Sequence, residues 1–125
     1  AYDNATRLVF MDGNVFLNGA KPSKHEKDPL VREAFDPGIR LVEKPDAVAL
    51  EVTLDKAGAG EQRRPLVTTE PPGRAAVPEL PYEQPDAAPY RLDTDYLNRK
   101  RNTENPLPGP FATAKGGKQV LRVWP

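Results

Sequence analysis

No cysteine occurs in the chain, which excludes a disulfide framework and a thiolate zinc site and leaves the redox compartment unreadable. Histidine occurs once, at His25, so a histidine-based metal centre would need carboxylates or outside ligands to complete it. Apolar runs extend for only a few residues, too short for a membrane-spanning helix. Charge of either sign is not in excess: 18 basic and 18 acidic residues cancel to a formal net charge of zero. A nucleic-acid or anionic-membrane surface needs a basic surplus, so neither partner is expected. The start at Ala1-Tyr2 carries no signal-peptide pattern and no methionine, which fits a processed or partial chain. No compartment can be assigned.

Proline, in contrast, is plentiful, with 15 among 125 residues against an average usage of about 5%. Each fixes φ and removes a backbone donor, so helix is expected to be minimal and strands short. At this length one domain with a single core is expected.

The run Tyr90-Arg-Leu-Asp-Thr-Asp-Tyr96 alternates, with Tyr90, Leu92, Thr94 and Tyr96 on one side and Arg91, Asp93 and Asp95 on the other. Period two with aromatic and β-branched residues predicts a half-buried strand. It is delivered by a loop ruled by Pro71, Pro72, Pro78, Pro81, Pro85 and Pro89. Further strands are expected at Ile39–Val42 and Val48–Leu54, paired antiparallel around Lys44-Pro45-Asp46. Leu66–Glu70, Phe111–Thr113 and Lys118–Trp124 are read the same way, the last two around Gly116-Gly117. In Val48–Leu54 the even-numbered residues make the apolar face; in the last strand Leu121 and Val123 share one side. Near the N-terminus, Leu8–Met11 and Val15–Leu17 flank Asp12-Gly13. That sequence suits a hairpin, and equally one rung of a parallel β-helix with Asn14 in a stacked position; local sequence leaves both open. Asp28 as a cap and Pro29 at the first helical position predict a helical turn or two over Leu30–Phe35. Ala57–Arg64 and Arg99–Pro110 read as loops, the first mobile and charged. Six or seven short strands with long connections point to an antiparallel β-sandwich.

Several residues could carry chemistry. Asp93 and Asp95, two apart on a strand, lie roughly 6.6 Å apart in rise, within the roughly 5 to 9.5 Å used by glycosidase carboxylate pairs. Such a pair must flank the bond from two sides, which neighbours on one strand cannot do, so a solvated strand face is the preferred reading. Ser23 and His25 share a charged loop without an orienting scaffold, and His25 is read as a surface histidine. The basic run Asn98-Arg-Lys-Arg-Asn102 is read as a solvated loop. Tyr82, Tyr90, Tyr96 and Trp124 could stack on pyranose rings, but Tyr90, Tyr96 and Trp124 are expected to pack in or around the core. Tyr82 is therefore the candidate substrate-binding residue. No phosphate loop, catalytic triad, metal site or cofactor motif is seen.

The ordered set Asn14-Val-Phe-Leu-Asn-Gly-Ala-Lys-Pro22, Glu26-Lys-Asp28, Phe35-Asp-Pro37, Tyr82-Glu83, Leu92-Asp-Thr-Asp-Tyr96, Gly109-Pro110 and Val120-Leu-Arg-Val-Trp124 resembles the C-terminal region of the family 120 glycoside hydrolases, the β-xylosidases. The likeness runs from Met11 to Trp124 and departs at Ala57-Gly-Ala-Gly60 and Pro71-Pro-Gly73. It implies a right-handed parallel β-helix with a built-in β-sandwich, and release of xylose from xylo-oligosaccharides with retention. It also implies that the catalytic carboxylates lie upstream on the β-helix, so none is carried over to this chain. Residues 1–38 would form the end of the β-helix, with Leu8–Gly19 as its last rung, and residues 39–125 the sandwich. The expected partners are the upstream catalytic β-helix part, as a separate chain or the rest of a fragmented one, and a xylo-oligosaccharide. An unpaired sheet edge and an uncovered apolar face would follow. From another class, a free-standing carbohydrate-binding sandwich using Tyr82 remains the alternative.

Overall fold

The computed structural model describes residues 4, 9–55, 62–112 and 116–124. Leu8, Thr113 and most of the loop expected from Ala57 lie outside them. The fold is all-β, with no α-helix among the described residues. It combines a two-stranded parallel sheet with a three-stranded antiparallel one.

In the first sheet, β1 (Val15–Leu17) runs parallel to β2 (Leu30–Arg32), with Val15 opposite Leu30 and Leu17 opposite Arg32. A parallel bridge between Asp12 and Lys27 continues the pairing upstream. Backbone bonds run its whole length: Lys27 N to Met11 O at 3.0 Å, Gly13 N to Lys27 O at 2.9 Å, Leu30 N to Asn14 O at 2.9 Å and Gly19 N to Glu33 O at 3.0 Å. Of the two forms open to Asp12-Gly13, the structure adopts the rung-like one. Gly13 takes φ +67°, but it bends the chain and does not reverse it. Asn14 secures the return through its backbone N and Nδ2, which donate to the Glu26 carboxylate at 2.9–3.0 Å.

The helical turn expected over Leu30–Phe35 does not form. Asp28 sits at φ +48°, whereas a helix N-cap needs extended backbone. A helix this short also has a costly nucleus, while the ladder pairs three residues and buries Leu30. Only the bond from Phe35 N to Arg32 O, 3.2 Å, keeps a trace of the turn.

The second sheet has the order β3 (Arg40–Lys44), β4 (Ala47–Leu54), β5 (Gly117–Trp124), all antiparallel. Lys44 pairs with Ala47, so Pro45-Asp46 alone forms the tip. Leu41, Leu50 and Leu121 line up across the three strands, as alternation requires. A bulge between Val48 and Ala49 shifts the register and sets Trp124 opposite Val48. The β3 end of the sheet is tied to the preceding linker by Thr53 N donating to Pro37 O at 2.7 Å. Leu50, Val52 and Leu54 look across an apolar cleft of about 370 Å³ to Val15, Leu17 and Leu30, and Pro108–Phe111 close its side. Among the described residues, the buried apolar ones are Leu30, Ala49, Val52 and Phe111.

Among the described residues, four segments expected as strands form none: residues 9–11 of Leu8–Met11, Leu66–Glu70, Tyr90–Tyr96 and residues 111–112 of Phe111–Thr113. Leu66–Glu70 and Tyr90–Tyr96 share one β-bridge, Thr68–Arg91, instead of a ladder, and Thr94 bridges Lys100. Phe111 is buried but lies in no strand. Proline flanks each of the last three segments, at Pro65 and Pro71, at Pro89, and at Pro108 and Pro110, and interrupts the donor row that a ladder needs.

The parallel pairing yields a test. Leu30→Ala should cost about 2–4 kcal/mol, whereas Val31→Ala, on the open side, should cost less than about 1 kcal/mol. Urea unfolding midpoints measure both; equal small losses would contradict the burial of Leu30 in the ladder.

Candidate functional site

Asp93 and Asp95 do not share an exposed face. The Asp95 side chain is wholly inaccessible. The chain turns sharply here, with Asn98 N donating to Asp95 O at 2.9 Å and Asp95 N to Arg99 O at 2.8 Å. Asn98 takes the left-handed φ of +58° that asparagine tolerates. Asp95 Oδ1 accepts the backbone N–H groups of Leu97 and Arg99, both at 2.8 Å. Oδ2 accepts Arg99 Nε at 2.8 Å and Ala112 N at 2.9 Å, and pairs with Arg99 Nη2 at 2.8 Å. Burial pushes this carboxyl up, but the donors from Ala112, Arg99 and Leu97 outweigh it and hold the group well below the usual carboxylate range. A carboxylate so fully engaged has no lone pair left for proton transfer or for a cation. Asp93 instead faces Lys100 Nζ at 3.1 Å and Arg91 Nε at 3.6 Å.

The basic run is likewise internal in part. Arg101 donates from Nε to Thr94 O at 2.9 Å, from Nη1 to Leu107 O at 3.1 Å and from Nη2 to Gly109 O at 2.8 Å. It holds the neighbouring loops where a solvated arginine was expected. His25 is half-buried. Its backbone N donates to Ser23 Oγ at 3.3 Å, and its Nε2 is buried without a partner among the described residues.

Tyr82 lies between the bridges Arg74–Pro81 and Glu83–Pro89, within the proline-ruled loop. Its carbonyl accepts Thr69 Oγ1 at 2.9 Å, and that hydroxyl accepts Tyr90 N at 2.6 Å. The backbone is pinned while the residue stays 44% exposed. Tyr90 is half-buried, as expected. Tyr96 and Trp124, expected in or around the core, are 58% and 67% exposed. Tyr96 OH donates to Val123 O at 2.7 Å, and its ring meets Phe111 edge-on with centroids 6.5 Å apart. Together with Leu97 and Val120, these two aromatics line a shallow groove along β5, and Tyr82 is not part of its wall.

Arg64 carries no distinguishing signal in the sequence. Expected in a mobile charged loop, it is only 4% exposed and bonds through Nε to Gly13 O at 2.6 Å. Nothing in Gln62-Arg-Arg-Pro65 distinguishes it from its exposed neighbour Arg63. No group of three or more metal-ligating side chains is present among the described residues.

The chain is similar to a solved structure described as the complex of XylC with xylose. The two share 34% identical residues with a TM-score of 0.78, over 90% of this chain and 17% of that one. This chain therefore spans about a sixth of that neighbour's length. No family model matches it, and no curated protein matches it.

The Asp95 cluster predicts an acid-labile fold. A carboxyl with a lowered folded value contributes stability above its ordinary range, near pH 3.9, and loses it as pH falls toward the folded value. Urea midpoints from pH 7 to pH 2 should decline below about pH 4. Asp95→Asn should be less stable at neutral pH and show a flatter acid limb. Parallel curves for the two proteins would remove Asp95 from the acid response.

Proposed function

We propose that this chain is the C-terminal, non-catalytic part of a larger glycoside hydrolase that releases xylose from the non-reducing ends of xylo-oligosaccharides with retention. Residues 1–38 supply the last turn of a right-handed parallel β-helix and its linker, and residues 39–125 belong to a β-sandwich. The observation that carries this reading is the likeness to XylC, solved with xylose, at 34% identity over 90% of this chain. The ordered resemblance to the family 120 β-xylosidases points the same way. The parallel β1–β2 pair suits a rung, and the exposed Ile39, Leu41, Val120 and Trp124 suit a sheet that other parts of a longer polypeptide cover.

Catalysis is assigned to the upstream β-helix. Asp95 is consumed by structural bonds, and Asp93 is paired with two cations. The xylan-degrading role and the retaining outcome rest on the family resemblance. Tyr82, with its backbone pinned and its side chain partly open, is assigned to one wall of the sugar cleft.

The test is an assay of the longer polypeptide on xylo-oligosaccharides, with the product anomer followed by NMR. Xylose should appear first as the β-anomer; no xylose release would end the proposal, and the α-anomer first would end its retaining part. Asp93→Asn should leave kcat within about twofold. Tyr82→Ala should raise KM roughly three- to tenfold by loss of a stacking face. A large fall in kcat for Asp93→Asn would move catalysis into this chain.

A further inference from the structure

The short segment Gln62–Arg64 touches both halves of the fold. Gln62 Nε2 donates to Pro29 O at 3.1 Å, next to β2. Arg64 Nε donates to Gly13 O at 2.6 Å, in the bend before β1. Arg64 Nη1 and Nη2 return to Gln62 O and Oε1 at 3.2 and 3.0 Å, which braces the two contacts against each other. On the opposite side, Arg64 N donates to Asn105 Oδ1 at 2.9 Å. Asn105 is itself fixed by its N–H on Asn102 Oδ1 at 3.1 Å, in the loop that Arg101 ties to Leu107 and Gly109.

Gly13 shows how close this approach is. It is buried, and a Cβ there would stand 2.8 Å from Arg64 Cγ. Its positive φ of +67° strains any side chain as well. The glycine therefore serves the arginine as much as the bend. Burial disfavours the guanidinium charge, and a buried charge persists only where enough acceptors compensate it. Here the described acceptors are carbonyl oxygens of the rung and of Gln62.

We propose that Arg64 is a mechanical pin that locks the parallel rung to the loop layer beside the antiparallel sheet, so that a displacement of one is passed to the other. The consequence for an enzyme rests on the glycosidase reading above: the sandwich then braces the terminal turn of the catalytic β-helix. The pin itself depends only on the geometry.

Hydrogen exchange of the full-length polypeptide tests it. Arg64→Met keeps length and removes the donors. It should accelerate exchange about tenfold or more over residues 11–32 while residues 40–54 and 117–124 stay within about twofold. Asn105→Ala, which cuts the other end of the pin, should give the same pattern, and Arg63→Met should change nothing. Equal acceleration in rung and sheet would reduce Arg64 to a general stabiliser and overturn the proposal, as would unchanged rung exchange. Should Arg64→Met fail to fold, Asn105→Ala and Arg64→Lys carry the same comparison. Xylose release by the wild type is scored separately, so failure of the glycosidase reading is not confused with failure of the pin.

Discussion

The irregular half of this protein depends on one carboxylate. With no cysteine to staple the loops and proline removing backbone donors throughout, something else must set the paths of the chain around residues 93–112. Asp95 does so by accepting donors from Leu97, Arg99 and Ala112 at a single buried point. Arg101 completes the arrangement from the opposite sign, by donating to three carbonyls. Charge-assisted bonds of this kind are about twice as strong as neutral ones. They do here, in a chain poor in regular structure, what ladders do elsewhere. Phe111 is held next to Ala112 in this way, buried against the cleft between rung and sheet.

The legible parts of the fold were the ones specified locally. β3 and β4 follow from alternation around Pro45-Asp46, and β5 from alternation after Gly116-Gly117. The rung was half legible: Asp12-Gly13 suits a bend, but whether the next strand returns beside it or runs parallel is decided by Lys27–Arg32, far along the chain. Tyr90–Tyr96 misled for a physical reason. Alternation there reflects a turn that points Asp95 inward to collect amides, so the residue assigned to solvent is the buried one and Tyr96 is exposed. Arg64 could not be singled out at all, because its partners Gly13 and Asn105 are distant in sequence and only the fold brings them together.

The candidate site shows the same division. Tyr82 stands in a proline-ruled loop and is partly exposed, which leaves its assignment to the sugar cleft a proposal. The carboxylate pair, attractive by spacing alone, dissolves once each member's partners are known. The surface retains many apolar groups, with Ile39, Leu41, Val120 and Trp124 all more than half exposed. Under the proposed reading, further polypeptide covers that surface.

The order of β3, β4 and β5 in the sheet also governs when it can be made. β4 pairs with β5 across about sixty intervening residues. Until those residues exist, β3 and β4 form only a two-stranded hairpin, which is marginal in water. At roughly 5–20 residues per second, synthesis leaves that hairpin waiting for several seconds. The high contact order then slows the closing step further. The sheet thus behaves as a clasp shut by its last strand, with the row begun by Leu41 and Leu50 left open until Leu121 arrives to join it.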